Sequence, residues 1–284
     1  MSSRAQSKGL EEILYQSFPV LDKGFIRIID YMGNDQSIVQ AARVSYGKGT
    51  KTVSHDKSLI DYLMKHNHTT PFEMCEIKLH IKMPIFVARQ WLRHRTASVN
   101  EYSARYSIIK DDFYLVDDDK ISEQSNTNKQ GRKNKKLTPQ EIKEVSFIIE
   151  NFSKDSYSKY QKLLNKSGNR EGIARELARM LLTLNYYTEI YWKIDLHNLL
   201  HFLTLRIAKN AQYEIRAYAL EILKITKIWV PYVYEAFEIY KLKAITLSQN
   251  QIHTLKYMLQ NNANKENNSD LNKREWQELV DAFF

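Results

Sequence analysis

The chain has 284 residues, of which 43% are hydrophobic and 12% aromatic, and it carries a formal net charge of +9. This composition is typical of a folded protein rather than a disordered one, and the length allows one or two domains. A single cysteine, Cys75, excludes an intrachain disulfide and fits a reducing compartment. Because we find neither a signal-peptide core nor an apolar run of about 18 residues, we expect a cytoplasmic protein without a membrane span.

The first part of the chain combines a strand-like pattern with two helix-like patterns. Residues 25–30 alternate in polarity, as the residues of a half-buried strand do. Asp35 is placed to cap the following helix, and a second helix is predicted to begin near Ser54. This helix ends before the segment HNHTTPFE, residues 66–73, because the residue ahead of Pro71 is disfavoured in a helix.

A strand and a helix then lead into an arginine-rich segment. Apolar and polar residues alternate over residues 76–83, which indicates a half-buried strand. Pro84 follows as the first residue of a predicted helix, a position that proline favours. The helix and the loop after it carry QWLRHRTASVNEYSARY, residues 90–106, and no lysine occurs between residues 82 and 110. The chain has 28 lysines and only 14 arginines, so the use of arginine alone in this segment reflects more than a need for surface positive charge.

The chemistry of this segment favours a binding site. A guanidinium is a planar fork of donors that can bind phosphate or a carbonyl edge through two hydrogen bonds. Imidazole, hydroxyl, amide and carboxylate groups lie between the arginines at close spacing. We therefore predict a site for an anionic, ring-bearing ligand such as a nucleotide. A solvated basic helix or an RNA-binding patch is the alternative interpretation of such a cluster.

Two further segments carry candidate functional groups. The first is the loop of residues 66–73, which presents polar side chains beside a proline. The second is DLHNLLHFLTLRIAKNAQ, residues 195–212, which follows a predicted strand and places His197 and His201 on one helical face. A metal site is not predicted here, since the glutamate of an HExxH motif and a third ligand are both missing.

The remaining segments are less informative about chemistry. The polar stretch 117–137 is interpreted as a mobile surface loop or lid. A capping box at residues 138–141 then begins a long amphipathic helix. Residues 244–284 are predicted to form a helical C-terminal extension of unknown role, with a polar stretch at 261–270 and a final helix around Trp276.

Together the three segments resemble the flavin-dependent thymidylate synthases. The order Arg93-His94-Arg95, seven residues, then Ser103 resembles the signature of that family. H-x-T-P-F-E before it and D-x-H-N-L-x-H-F-L-x-L-R after it are also similar, so the resemblance spans roughly residues 24–240. One departure is Asn210, which stands where many family members have a histidine near the flavin.

The resemblance implies a fold, a reaction and a set of partners. The expected subunit is α+β, with a small, mostly antiparallel sheet and a dominant set of helices, and its catalytic domain spans residues 1–243. Its flavin site would not be a Rossmann crevice, and the sequence has no G-x-G-x-x-G. The implied reaction is reductive methylation of dUMP to dTMP, with methylenetetrahydrofolate as carbon donor, FAD as hydride carrier and NADPH as reductant. The family also implies a homotetramer with sites shared between subunits.

Site residues carry over by their positions in the motifs. Arg206 is the expected catalytic residue, because its charge would polarise and ionise the uracil ring without a cysteine nucleophile. His68 would lie beside the flavin and the folate. The residues expected to bind dUMP are Gln90, Trp91, Leu92, Arg93, Glu101, Tyr102, Ser103, Ala104, Arg105, Arg179 and Arg206. Those expected to bind FAD are Thr70, Arg93, His94, Arg95, Glu101, Asp195, Leu196, His197 and His201.

Two other classes of protein stay open on the sequence alone. A basic nucleic-acid-binding protein would fit the charge of +9 and the 18 tyrosines. A nucleotide-modifying enzyme with a cysteine nucleophile would need Cys75, but no histidine or arginine flanks that residue closely. We therefore expect Cys75 to pack in the core, and we expect dUMP, folate and NADPH as partners rather than nucleic acid or membrane.

Overall fold

The computed structural model describes residues 4–44, 53–126 and 129–260. The chain divides into two compact units, Met1–Leu242 and Lys243–Phe284. The polar stretch 261–270 and the helix predicted around Trp276 lie outside the described residues. Within the described ranges, no helix combines the length and the apolar character that crossing a membrane requires.

The first unit contains a five-stranded antiparallel sheet. Its strands are β1 (Ser17–Val20), β2 (Gly24–Met32), β3 (Glu76–Pro84), β4 (Ser98–Glu101) and β7 (Tyr187–Asp195). The order across the sheet is β1-β2-β3-β7-β4, so β7 is inserted between two strands that are adjacent in the chain. A separate two-stranded sheet pairs β5 (Ser122–Gln124) with β6 (Arg132–Lys136).

Helices make up most of the remaining structure, which confirms the predicted α+β fold with a small antiparallel sheet. They are α1 (Lys8–Glu11), α2 (Asp35–Arg43), α3 (Val53–Lys65), α4 (Thr70–Glu73), α5 (Ile85–Trp91), α6 (Pro139–Leu164), α7 (Arg175–Ala178), α8 (Leu196–Ile207), α9 (Tyr213–Trp229), α10 (Pro231–Phe237) and α11 (Gln249–Gln260). Short 3₁₀ turns occur at Asp118–Lys120 and Arg179–Leu181, and Glu238–Leu242 forms one π-helical turn.

The main core lies where α5, α8 and α9 pack against the sheet. The apolar residues at 77, 79, 81 and 83 are at most 1% exposed, in the period-two pattern that the sequence predicted. Trp91 of α5 meets Trp192 of β7 edge to face, with ring centroids 5.1 Å apart. Trp229 of α9 is buried in the same core. These large rings hold α5, and the segment that follows it, in a fixed position on the sheet.

The start of α2 differs from the prediction. Asn34 rather than Asp35 is its cap, because the Asn34 side chain accepts from the Ser37 N–H while the Ser37 hydroxyl accepts from the Asn34 N–H. Asp35 is buried one position later, and its carboxylate accepts from the N–H groups of Tyr232 and Val233, each at 3.1 Å. Asp35 thus satisfies the N-terminal amides of α10, a contact that local sequence patterns do not reveal.

The structure of the polar stretch 117–137 differs from the predicted mobile loop. The prediction of a mobile loop is wrong for its two strands, since β5 and β6 form an antiparallel hairpin. Arg132 of the hairpin forms an ion pair with Glu214 of α9, a residue only 1% exposed. The strands are short and rich in charged residues, so they lack the apolar alternation by which strands are recognised.

Candidate active site

The arginine segment is fixed to the sheet at both ends. Pro84 closes β3 and serves as the N-cap of α5 rather than as its first residue. A turn then connects α5 to β4, which pairs antiparallel with β7. The residues of β4 were predicted as part of a loop, but the pairing makes them the edge strand of the sheet. The motif therefore lies on a rigid base, as a binding site requires.

Arg206 of α8 lies against the start of this segment. Its Nη2 donates a hydrogen bond to the backbone carbonyl of Gln90 at 3.0 Å. The Nε of Arg206 is buried and has no hydrogen-bond partner within the described part of the chain. Burial lowers the pKa of Arg206, although a guanidinium stays charged at neutral pH. This arrangement offers a partly desolvated cation to an electron-rich ligand atom.

His94 is the buried member of the arginine motif and is only 8% exposed. Its Nε2 lies 3.1 Å from the hydroxyl of Thr96, and its ring centroid lies 5.6 Å from that of His201 on α8. Burial lowers the pKa of His94, and the neighbouring His201 and Arg206 lower it further. The imidazole is therefore neutral near pH 7 and can act as donor through one nitrogen and acceptor through the other.

A pocket joins α8 to the loop ahead of α4. Its volume is about 280 Å³, and its polar lining includes His68, Thr69, His197 and His201, with apolar side chains around them. Thr70 lines an adjacent depression together with His68 and Thr69. Residues from two distant segments, predicted to bind flavin and folate, thus meet in one place. An apolar lining with a few convergent polar groups suits a planar aromatic ring.

The exposed residues Arg105 and Arg179 and the half-buried Ser103 form a second group. Arg105 Nε lies 3.2 Å from a Glu176 carboxylate oxygen, and Arg179 Nε donates to the Glu176 backbone carbonyl at 3.3 Å. The Ser103 hydroxyl oxygen accepts from the Arg105 N–H at 3.3 Å, so its own proton stays available to a ligand. Two guanidiniums that both contact Glu176, with a hydroxyl beside one of them, are suited to bind phosphate.

The exposed residues between these groups differ in their contacts. Arg93 and Arg95 are exposed, and neither makes a hydrogen bond or an ion pair within the described ranges. Glu101 accepts from the Thr188 hydroxyl at 2.9 Å. The Tyr102 hydroxyl donates to a backbone carbonyl at 3.0 Å. Arg93 and Arg95 are therefore the cations of the motif that are most available to an anionic ligand.

Four of the predicted binding residues have side chains with a structural role. Trp91 and Leu196 are fully buried, and Ala104 is 9% exposed in a separate cluster of buried residues. Asp195 caps α8 by accepting from the Asn198 N–H at 2.9 Å. The buried side chains of Trp91, Leu196 and Ala104 pack in the interior, so any contact with a ligand would come from their backbone atoms. Motif positions alone do not distinguish such inward-facing residues from those that face a ligand.

Cys75 lies in the core and is 0% exposed. Its thiol is 3.6 Å from the carbonyl oxygen of Asn34. Burial raises the pKa of Cys75 to about 12, and the nearby Asp35 carboxylate adds to the increase. Because a thiolate rather than a thiol attacks electrophiles, this cysteine is inert at neutral pH.

The variant Cys75→Ala is therefore expected to keep a kcat within about threefold of the parent protein, since the thiol takes no part in the chemistry. Its thermal stability should fall modestly, because a buried sulfur atom is lost. Steady-state formation of dTMP, the product that the sequence resemblance implies, checks the first expectation, and the melting temperature checks the second. Loss of turnover in a folded, flavin-loaded variant would show that the sulfur attacks the ring.

Gln212 and Glu214 are functional candidates that the sequence analysis missed. The Gln90 side-chain amide donates to the Gln212 side-chain oxygen. The Gln212 amide in turn donates to Glu214 Oε2 at 2.9 Å. The signal was present, because the third motif continues directly into AQYEIR, residues 211–216.

Comparison with known proteins decides the family. Residues 27–232 match the family model described as "Thymidylate synthase complementing protein". The chain is also 56% identical to the "Flavin-dependent thymidylate synthase" of Rickettsia conorii, an alignment that covers 99% of this chain and 98% of that protein. The chain belongs to the flavin-dependent thymidylate synthase family. The protein of the same description from Ehrlichia ruminantium (strain Gardel) is 54% identical, with 96% of this chain and 90% of that protein covered.

Solved structures agree with this family. The UMP/dUMP methylase PolB from Streptomyces cacaoi, bound with 5-Br dUMP, superimposes with a TM-score of 0.70 at 28% identity. That superposition covers 79% of this chain and 98% of the PolB chain. The predicted flavin-dependent thymidylate synthase family is thereby confirmed, and so is an enzyme of the methyltransferase class.

Proposed function

We propose that this flavin-dependent thymidylate synthase relative methylates C5 of dUMP to form dTMP. FAD is the flavin, NADPH the reductant and methylenetetrahydrofolate the carbon donor. The observation that carries the proposal is the position of His201, which lines the pocket with His68 and also contacts His94 beside Arg206. A planar-ring pocket and a cationic nucleotide site are thus adjacent. The flavin, when bound, supplies the hydride that no amino-acid side chain can supply.

The described residues fit a flavin nucleotide in two respects. A ring system finds a mixed apolar and imidazole lining in the pocket at His68, His197 and His201. A pyrophosphate finds the exposed guanidiniums of Arg93 and Arg95, which no protein group neutralises in the described ranges. Arginine side chains can supply the positive charge that a Rossmann fold draws from a helix N-terminus.

The substrate is proposed to lie between Arg206 and the phosphate-binding group. Ser103, Arg105 and Arg179 bind the phosphate of dUMP through charge-assisted hydrogen bonds. Arg206 meets the uracil ring and stabilises the negative charge that develops when N3 loses its proton. An anionic ring is more nucleophilic at C5, so the cation replaces the function that a cysteine adduct serves in other thymidylate synthases. The pKa of Cys75, raised by burial, supports this division of roles.

We further propose a cytoplasmic homotetramer whose sites lie between subunits. The catalytic domain is assigned to residues 1–243, and residues 244–284 are an extension of unknown role. An exposed apolar surface on α6 supports an oligomer, since Phe147, Ile148 and Phe152 are 57–68% exposed. Light scattering of the purified protein measures the subunit number, and a monomeric mass would contradict this part of the proposal.

The purified protein is expected to contain FAD, or to bind it when FAD is added, and dUMP should perturb the flavin absorption bands. NADPH should bleach those bands. Arg95→Ala should retain less FAD, whereas Arg170→Ala, an exposed arginine outside the proposed site, should retain it fully. A colourless protein that fails to bind added FAD would contradict the proposal.

A further inference from the structure

Glu214 is a buried carboxylate beside the proposed active site. It is 1% exposed, although it lies in the first turn of α9 near the protein surface. Arg132 of the β5–β6 hairpin and the hydroxyl of Tyr114 both donate to Oε1. The Gln212 side-chain amide donates to Oε2 at 2.9 Å. Burying a carboxylate is costly unless it is paired and hydrogen-bonded, and here both oxygens are satisfied.

The chain of hydrogen bonds from Glu214 has a defined polarity. A carboxylate only accepts hydrogen bonds, so the Gln212 side chain must turn its NH₂ group toward Glu214. The Gln212 oxygen then faces Gln90 and accepts from the Gln90 NH₂ group. As a result, the Gln90 side-chain oxygen points elsewhere, and in the described part of the chain it accepts no hydrogen bond.

The backbone of Gln90 is held independently of this chain. Arg206 donates to the Gln90 carbonyl at 3.0 Å, so the residue is fixed from two directions. Rotation about the last side-chain bond would exchange the amide oxygen and nitrogen of Gln90 without moving the backbone. The hydrogen bond from Gln90 to Gln212 therefore decides whether the oxygen or the NH₂ group of the Gln90 side chain faces outward.

We infer that Glu214 is a positioning residue that acts through Gln212 to fix the side-chain oxygen of Gln90 as a hydrogen-bond acceptor for the nucleotide. The inference rests on the proposed function, which places dUMP at Gln90. Since N3 loses its proton in the proposed mechanism, the 3′-hydroxyl is the donor of dUMP from which the oxygen of Gln90 accepts. Arg132 attaches the hairpin to the same carboxylate, which gives the insertion a part in supporting the site.

The variant Gln212→Lys tests the donor and acceptor directions in this chain of hydrogen bonds. A lysine only donates, so it pairs with Glu214 but draws the Gln90 oxygen away from the nucleotide. The dissociation constant of dUMP, measured by calorimetry on the FAD-loaded protein, should rise roughly three- to tenfold, the cost of one neutral hydrogen bond. A rise in the dissociation constant is informative, because an added positive charge alone would tighten the binding of an anionic nucleotide.

Gln130→Lys is the matched control. Gln130 is exposed and lines the same surface depression as Gln212, so the variant adds an equal charge without entering the hydrogen-bond chain. Its dissociation constant for dUMP should be unchanged or lower. Glu214→Gln, whose amide can donate as well as accept, should weaken binding in the same direction as Gln212→Lys. Gln212 is exposed, so its variants are informative even if the buried substitution prevents folding.

A double-mutant cycle with Gln90→Leu separates positioning from an independent effect. Gln90→Leu should itself weaken dUMP binding, and adding Gln212→Lys to it should cause no further loss, because the residue it acts through is gone. Two results would overturn the inference while leaving the proposed function in place. One is a double variant whose dissociation constant rises by the product of the two single effects, and the other is unchanged dUMP binding in Gln212→Lys. A parent protein that binds FAD but not dUMP would instead overturn the proposed function.

Discussion

Arg206→Ala should lower the kcat for dTMP formation by a factor of about 100 to 1000, the range seen when a preorganised electrostatic group is removed. The guanidinium is partly buried, and its lowered pKa reflects lost hydration. A charge in such an environment acts on a ligand more strongly than the same charge in water. Because its effect is largest when the ring ionises, the loss should fall mainly on kcat, with a smaller loss of dUMP binding from the Gln90 carbonyl that Arg206 holds.

Ser103→Ala is the informative comparison for this variant. The Ser103 hydroxyl is proposed to donate to the phosphate, and losing a hydrogen bond to a charged group costs about 1.5–3 kcal/mol. The KM for dUMP should therefore rise roughly ten- to hundredfold while kcat stays measurable. Arg216→Ala is the control, because it removes an α9 guanidinium whose hydrogen bond, among the described residues, goes to the backbone carbonyl of Lys209. If Ser103→Ala were inactive at saturating dUMP while Arg206→Ala turned over well, the two roles would be reversed.

A second large effect is expected for Asp35, whose titration should make the free energy of unfolding depend on pH. Burial raises the pKa of Asp35 from 3.8 to about 6, and the amides of Tyr232 and Val233 oppose only part of that increase. Between pH 3.8 and about pH 6, Asp35 keeps its proton in the folded chain and has released it in the unfolded chain. The stabilising contribution of Asp35 is thus fully present below about pH 4 and is lost as the pH rises through about 6. The change is about 3 kcal/mol.

Asp35→Asn removes this contribution because an amide does not titrate. The free energy of unfolding of the parent protein, minus that of the variant, should decrease by about 3 kcal/mol between about pH 4 and pH 7. Urea unfolding at four pH values gives this difference, and the titrations of other groups cancel in it. Asp30→Asn, at an exposed carboxylate on β2, is the control. A difference that stays constant with pH would contradict the assignment.

Sequence patterns indicated a candidate site because its predicted residues are concentrated in short segments. The strand over residues 76–84, the capping box of α6 and the helix carrying His197 and His201 all follow from local periodicity and capping. These patterns depend on residues at most a few positions apart, which a single sequence displays directly.

The features that were missed depend on contacts between distant residues. Asp35 reaches α10 across 197 positions, and Arg132 meets Glu214 across 82 positions. Neither contact leaves a mark in the local sequence. The buried positions of Trp91 and Leu196 were missed for a related reason, since only packing against the sheet decides which side of a motif faces inward.

The tryptophan pair behind the arginine segment has an optical consequence. Trp91 is adjacent in sequence to Gln90, and its ring lies 4.6 Å from that of Phe202 on α8. Indole emission overlaps the absorption of an oxidised flavin, so excitation energy passes from a tryptophan to a flavin bound nearby. Addition of FAD should therefore quench the intrinsic fluorescence of the protein, and reduction of the flavin should restore part of it. Cofactor loading can thus be followed in real time with no substrate present and no label attached.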